Sequence, residues 1–215
     1  QISQRELTRQ VITPQQFADE FYRQLDLQKI TVPVVLHLDH TKDLAAIQNA
    51  IAAGFTSVMI DASEKPLEEN IALSRTVVEY AHPLDISVEA ELGRITTTDY
   101  VESDDDEELY TIPAEAGYFV EQTGIDALAV SVGTAHGVYM VQQPKIDMER
   151  LKAIRELTTA HLVLHGGSGV PATMIEGAIR IPGGGVSKVN IATDLELVAL
   201  AALNRDNFMT SAEMD

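Results

Sequence analysis

The sequence predicts an α/β fold, a (β/α)8 barrel incomplete at its N-terminus, where the first strand–helix unit is lacking, and at its C-terminus. Three observations predict it. Short β-branched runs alternate with helical stretches, the order of a parallel sheet with crossover helices. Most of those runs are too apolar to have a solvated face, so both faces must be covered. Polar residues gather where the strands end, which is where such barrels carry their chemistry. The chain has 215 residues, close to the ~200 that is the lower limit for a barrel and below the usual ~250. Either the barrel is shortened or these residues are a piece of a longer chain. A single domain is expected to span 1–215.

The elements follow in order. Gln1-Ile2-Ser3 reads as the tail of a strand. The next strand is 34–39 (VVLHLD), followed by a helix in which Leu44, Ile47 and Ile51 recur and Gly54 closes the end. A strand at 56–61 (TSVMID) leads to a second helix. Leu67, Ile71, Ser74, Val78 and Ala81 form its stripe, with Pro66, Glu68 and Glu69 at its start. Strands follow at 87–92 (SVEAEL) and 126–131 (DALAVS). A third helix carries Leu151, Ile154 and Leu157. The last strands are 162–165 (LVLH) and 187–191 (SKVNI). Thr210-Ser211-Ala212-Glu213 reads as another helix start.

Composition narrows the function. With 15 Lys+Arg against 33 Asp+Glu, the formal charge is −18. That charge repels phosphate backbones, so no nucleic-acid partner is expected. An anionic substrate would have to be held locally, by a metal or by backbone N–H groups. Apolar runs such as VPVVLHL fall far short of the ~20 residues that span a bilayer, so no membrane partner is expected. No secretory signal is expected from the opening residues. Zero Cys removes disulfides, thiolate metal sites and a Cys nucleophile, and fits a cytoplasmic protein.

The strand ends carry the candidates. One strand ends in Asp39-His40, the next in Asp61, and the third carries Glu89 and Glu91. Gly133-Thr134-Ala135-His136-Gly137 follows the fourth, His165-Gly166-Gly167-Ser168-Gly169 the fifth, and Asn190-Ile191-Ala192-Thr193-Asp194 the last. Three imidazoles from separate strand ends can hold a Zn²⁺ and leave its fourth position open for Lewis-acid chemistry on a carbonyl. The plainer alternative is that each is a hydrogen-bonded strand-end histidine. His37 reads as packing or as support for a ligand, and His82 and His161 as structural. HGGSG and NIATD read as a phosphate cradle of backbone N–H groups, or as turns that need glycine. Asp39 can shuttle a proton or orient a ligand histidine. Asp61 and Glu91 can hold a second divalent ion or form salt bridges. The acidic run 104–108 reads as a solvated loop. With 96–99 and Glu102 it is long enough for a mobile lid that bears an acid or base.

These motifs together resemble the class II, metal-dependent ketose-bisphosphate aldolases. The resemblance covers LHLDH (36–40), GFTSVMIDAS (54–63), PLEENI (66–71), VEAELGR (88–94), TGIDALAVSVGTAHGVY (123–139), LVLHGGSGVP (162–171) and KVNIATD (188–194). It implies a TIM barrel that assembles as a homodimer or homotetramer. It implies Zn²⁺ on His40, His136 and His165, and Asp39 as proton donor to the aldehyde-derived oxygen. Gly137, Gly166, Gly167 and Ser168, with Asn190, Ile191, Ala192 and Thr193, would bind the dihydroxyacetone phosphate half, and Ser3 matches a further phosphate ligand. Asp61 and Glu91 match a second divalent site, and carbonyls near His136 and Gly166 a monovalent-cation (Na⁺ or K⁺) site. The family's loop acid is a Glu shortly after a Gly pair. Here Thr replaces the pair, and Asp99 or Glu102 takes the acid's place.

The implied activity is lyase chemistry of glycolysis or related carbohydrate metabolism in the cytoplasm. A sugar bisphosphate, fructose or tagatose 1,6-bisphosphate, would be cleaved reversibly to dihydroxyacetone phosphate and glyceraldehyde 3-phosphate. Ala192 leans toward the tagatose branch. Two other readings stay open at this point, a non-catalytic barrel subunit that stabilises a partner and a metal-dependent phosphosugar epimerase or isomerase.

Overall fold

The computed structural model describes residues 1–95, 109–137 and 144–202. The candidate loop acids Asp99 and Glu102, the run 104–108 and the helix start at Thr210 lie outside the described residues. Two compact units are formed, Gln1–Glu91 with Glu121–Ala127, and Leu92–Val120 with Leu128–Asp215.

The first unit repeats strand and helix. It runs β1 (Ile2–Ser3), α1 (Gln4–Arg9), α2 (Pro14–Leu27), β2 (His37–Thr41), α3 (Leu44–Ala52), β3 (Ser57–Ile60), α4 (Leu67–Ala81) and β4 (Ser87–Leu92). The strands lie in chain order, with β1–β2, β2–β3 and β3–β4 all parallel. The second unit runs α5 (Pro113–Thr123), β5 (Ala127–Val130), α6 (Met148–Leu157), β6 (His161–Leu164), α7 (Ala172–Ile179), β7 (Val186–Val189) and α8 (Thr193–Ala202). Its strands also keep chain order, and β6–β7 is parallel. The seven strands found among the described residues make this an incomplete TIM-barrel-like α/β fold.

The cores follow from the apolar periodicities. Leu36, Leu38, Ile47, Phe55, Val58, Met59, Val77 and Val88 are buried in the first unit. Phe119, Leu128, Leu151, Ile154, Leu162 and Leu164 are buried in the second. All four residues of β3 are buried, as expected for a strand covered on both faces. Local signals fix the helix ends. Asp43 caps α3 through the Ala45 N–H, and Gly54 (φ 98°) turns the chain after it.

Several details differ from the sequence reading. β2 begins at His37, not Val34, because its ladder opens where the Leu36 carbonyl accepts Thr56 and Ser57 N–H groups. Val34 and Val35 have no strand partner and stay exposed. In α6, Leu151 and Ile154 are buried while Leu157, at the last turn, is half exposed. Helices α1, α2, α5, α7 and α8 were not anticipated, although Thr13-Pro14-Gln15-Gln16 forms a full capping box at the start of α2.

Candidate functional site

Parallel register places the first unit's polar residues. His37 pairs with Ser57, and Met59 with Glu89. Alternation along β2 puts Leu36 and Leu38 on one face and His37 and Asp39 on the other. On β4 it puts Glu89 and Glu91 together, opposite Val88 and Ala90. One face of this sheet is therefore apolar and the other carries buried acids and an imidazole.

His40 should then point away from Asp39, its chain neighbour. It does not, because the strand is irregular there. Leu38 pairs with Val58 while Thr41 pairs with Ile60, so β2 carries one extra residue between them. His40 itself takes up φ 43°, the left-handed region. This β-bulge re-aims the side chain. The result is two layered groups on one face. The candidate ligand atoms of His37, Asp39 and Glu89 lie within 4.8 Å of one another, and those of His40, Asp61 and Glu91 do likewise.

The electrostatics of the second group suit a cation. His40 Nδ1 and Asp61 Oδ2 are 3.0 Å apart, and the Ser63 hydroxyl donates to Asp61 Oδ1 at 2.7 Å. Burial alone would lower the His40 pKa. The Asp61 hydrogen bond and the charges of Asp39, Glu91 and Asp61 outweigh it and raise the value to about 9. Burial pulls Asp61 the other way, but His40 and Ser63 hold its carboxyl well below the usual carboxylate range. A carboxylate on Nδ1 fixes the ring and puts Nε2 forward as ligand atom, as in metal-binding histidines generally. The donor set of imidazole and carboxylates fits a divalent ion. α4 supports the layer from behind. Asn70, buried, donates from Nδ2 to the Glu91 carbonyl at 2.9 Å, and the Ser74 hydroxyl donates to Asn70. Sequence reasoning took Ser74 as part of an apolar stripe and passed over Asn70. A polar pair at i, i+4 inside that stripe was the available signal.

The second unit builds its strand ends differently. The rings of His136 and His165 are 5.6 Å apart, and His165 is completely buried. The Thr134 hydroxyl donates to the His165 carbonyl at 2.7 Å. Gly166 has φ 66°, and a Cβ there would collide with the Ala135 carbonyl. At Gly167 a Cβ would strike the Val189 side chain. These glycines allow the loops after β5, β6 and β7 to touch. Ser168 Oγ accepts from the Ala192 and Asp194 N–H groups, both at 3.2 Å, and the Gly169 N–H donates to Asp194 Oδ2. Asn190 is buried, Thr193 is half-buried and Ile191 is exposed. The loop is thus a set of backbone donors organised around one hydroxyl.

The remaining sequence candidates are also placed. Ser3 Oγ accepts the Glu6 N–H as the cap of α1. His82 meets Asp126 at 2.9 Å and His161 meets Ser187 at 3.3 Å, both outside these groups. No described helix is long and apolar enough to cross a membrane.

Comparison with known proteins gives a consistent picture. The family model for class II fructose-bisphosphate aldolase matches residues 1–215. The YdjI aldolase of Escherichia coli K12 is 35% identical, with a TM-score of 0.76 over 94% of this chain and 69% of that one. The fructose-bisphosphate aldolase of Campylobacter jejuni is 30% identical, with a TM-score of 0.68 over 87% of this chain and 60% of that one.

Proposed function

Because the chain belongs to the class II fructose-bisphosphate aldolase family, whose members are metal-dependent lyases, we propose that it cleaves a ketose 1,6-bisphosphate reversibly. The products are dihydroxyacetone phosphate and glyceraldehyde 3-phosphate. The observation that carries the reading is the bulge in β2, which turns consecutive Asp39 and His40 to one buried acidic face.

In this reading His40, His136 and His165 hold a Zn²⁺, which supplies Lewis acidity toward the substrate carbonyl. Asp61 keeps the His40 ring oriented for that task. Asp39 takes the proton from the hydroxyl that becomes the aldehyde, and returns it in the condensation direction. The donor-lined loop around Ser168, with Gly137, Gly166, Gly167, Asn190, Ile191, Ala192 and Thr193, takes the phosphate of the dihydroxyacetone half. It does so without Lys or Arg, in keeping with a charge of −18. Asp99 or Glu102 exchanges the proton on the dihydroxyacetone carbon. A second divalent ion at Asp61 and Glu91, and a monovalent cation at the carbonyls near His136 and Gly166, complete the proposal.

The test is cleavage of fructose and tagatose 1,6-bisphosphates, before and after chelation, with product analysis. Two three-carbon phosphates are expected, lost on metal removal and restored by Zn²⁺. Turnover that survives complete metal removal, or a six-carbon product, overturns the reading.

A further inference from the structure

Of the deeper of the two layers only Asp39 takes part in the chemistry just described, yet the whole layer is built with care. His37, Asp39 and Glu89 are 4%, 7% and 2% exposed. His37 Nδ1 is hydrogen-bonded to the Ser57 hydroxyl at 2.8 Å, which fixes the ring plane. Nε2 then points between two carboxylates, 3.6 Å from Asp39 Oδ1 and 3.7 Å from Glu89 Oε2. It makes no hydrogen bond among the described residues. Carboxylate oxygens accept hydrogen bonds, so the tautomer that suits these two neighbours has its hydrogen on Nε2. Asp39 is touched from its other side by Gln1, whose Nε2 donates to Oδ2 at 3.4 Å.

We propose that His37 and Glu89 are positioning residues: the Ser57-clamped imidazole directs Nε2–H toward Asp39 Oδ1, and Glu89, beside the same nitrogen, holds the ring in line. This rests on the reading of Asp39 as the group that moves the aldehyde proton. The physical reason is geometric. A proton-transfer group displaced by about 1 Å can lose on the order of 10²-fold in rate. Asp39 lies beside a bulge and needs lateral support that the ladder does not provide there.

Asparagine and glutamine dissect the imidazole. An Asn amide reaches only the Nδ1 position and keeps the Ser57 contact. A Gln amide reaches the Nε2 position and keeps the N–H toward Asp39. In the zinc-loaded full chain, His37→Asn is expected to lower kcat about 10²-fold and His37→Gln about 10-fold or less, with KM within about threefold in both. Glu89→Gln and Ser57→Ala are expected to lower kcat about 10-fold and about threefold, again without a KM change. Zinc per chain and the melting temperature are measured alongside, and Ser57→Ala serves if His37→Asn fails to fold. Equal kcat for the Asn and Gln variants, a rise in KM at constant kcat, or loss of bound metal in these variants overturns the proposal. Asp39→Asn separates the two claims. If it is inactive while the His37 and Glu89 variants turn over normally, only the positioning role fails. If Asp39→Asn itself turns over normally, the underlying reading of Asp39 fails too.

Discussion

The two units solve the same problem, what to place at the end of a parallel strand, with opposite materials. The first uses charged side chains: Asp39, Asp61, Glu89 and Glu91 surround two imidazoles, and a bulge brings neighbours to one face. The second uses backbone: Gly166 and Gly167 permit close chain approach, and Ser168 gathers N–H groups. The lesson is that the first set of strand ends is sensitive to the functional group at each position. The second is sensitive to the mere presence of a β-carbon.

Isosteric replacement is the sharpest way to break that contrast. Asp39→Asn is expected to reduce kcat by about 10³-fold while unfolding stability stays within about 1 kcal/mol, because shape is kept and the proton carrier removed. Steady-state kinetics and a urea titration check both halves. Gly166→Ala is expected to do the reverse. Its collision with Ala135 and its left-handed backbone predict a loss of about 3 kcal/mol in stability, read from the urea midpoint. If Gly166→Ala folds like the parent, the backbone account of the second unit is wrong.

Smaller effects sharpen the first unit's side. Asp61→Asn should weaken zinc affinity about 10- to 100-fold, measured by competition with a chromophoric chelator, since the ring loses its anionic anchor. The metal-free protein should also respond to pH. The folded His40 pKa lies above the ordinary 6.5, at about 9. Its contribution to stability is therefore fully present below about pH 6.5 and is lost as pH rises through 9. A drop on the order of 2 kcal/mol over that window is expected in urea titrations, and Asp61→Asn should flatten it. A profile that rises with pH would contradict the His40–Asp61 pairing.

How much of this was legible in the sequence follows from the same contrast. Strands such as β3 bury both faces, so any polar residue at their ends stands out, and the strand-end candidates Asp39, His40, Asp61, Glu89, Glu91, His136 and His165 could be picked by position. The bulge could not. Its left-handed residue is a histidine rather than a glycine or asparagine, so no turn chemistry announces it. Ser57 was equally silent, because a small polar residue inside an apolar run has the same pattern whether or not it holds a partner, whereas Asn70 had only its i, i+4 spacing to Ser74 to mark it. The start of β2 was set three residues early because hydrophobicity continues past the point where pairing stops.

The positive φ of His40 has one more implication. A β-carbon in that conformation costs about 1 kcal/mol or more relative to glycine. Replacing the residue by glycine should therefore give a sturdier protein than replacing it by alanine, though both lack the imidazole. The native chain tolerates a resident conformational penalty at a position where the proposed function needs the side chain. A designer hunting for thermostability would be led straight to that position and, on that proposal, would inherit an inert scaffold.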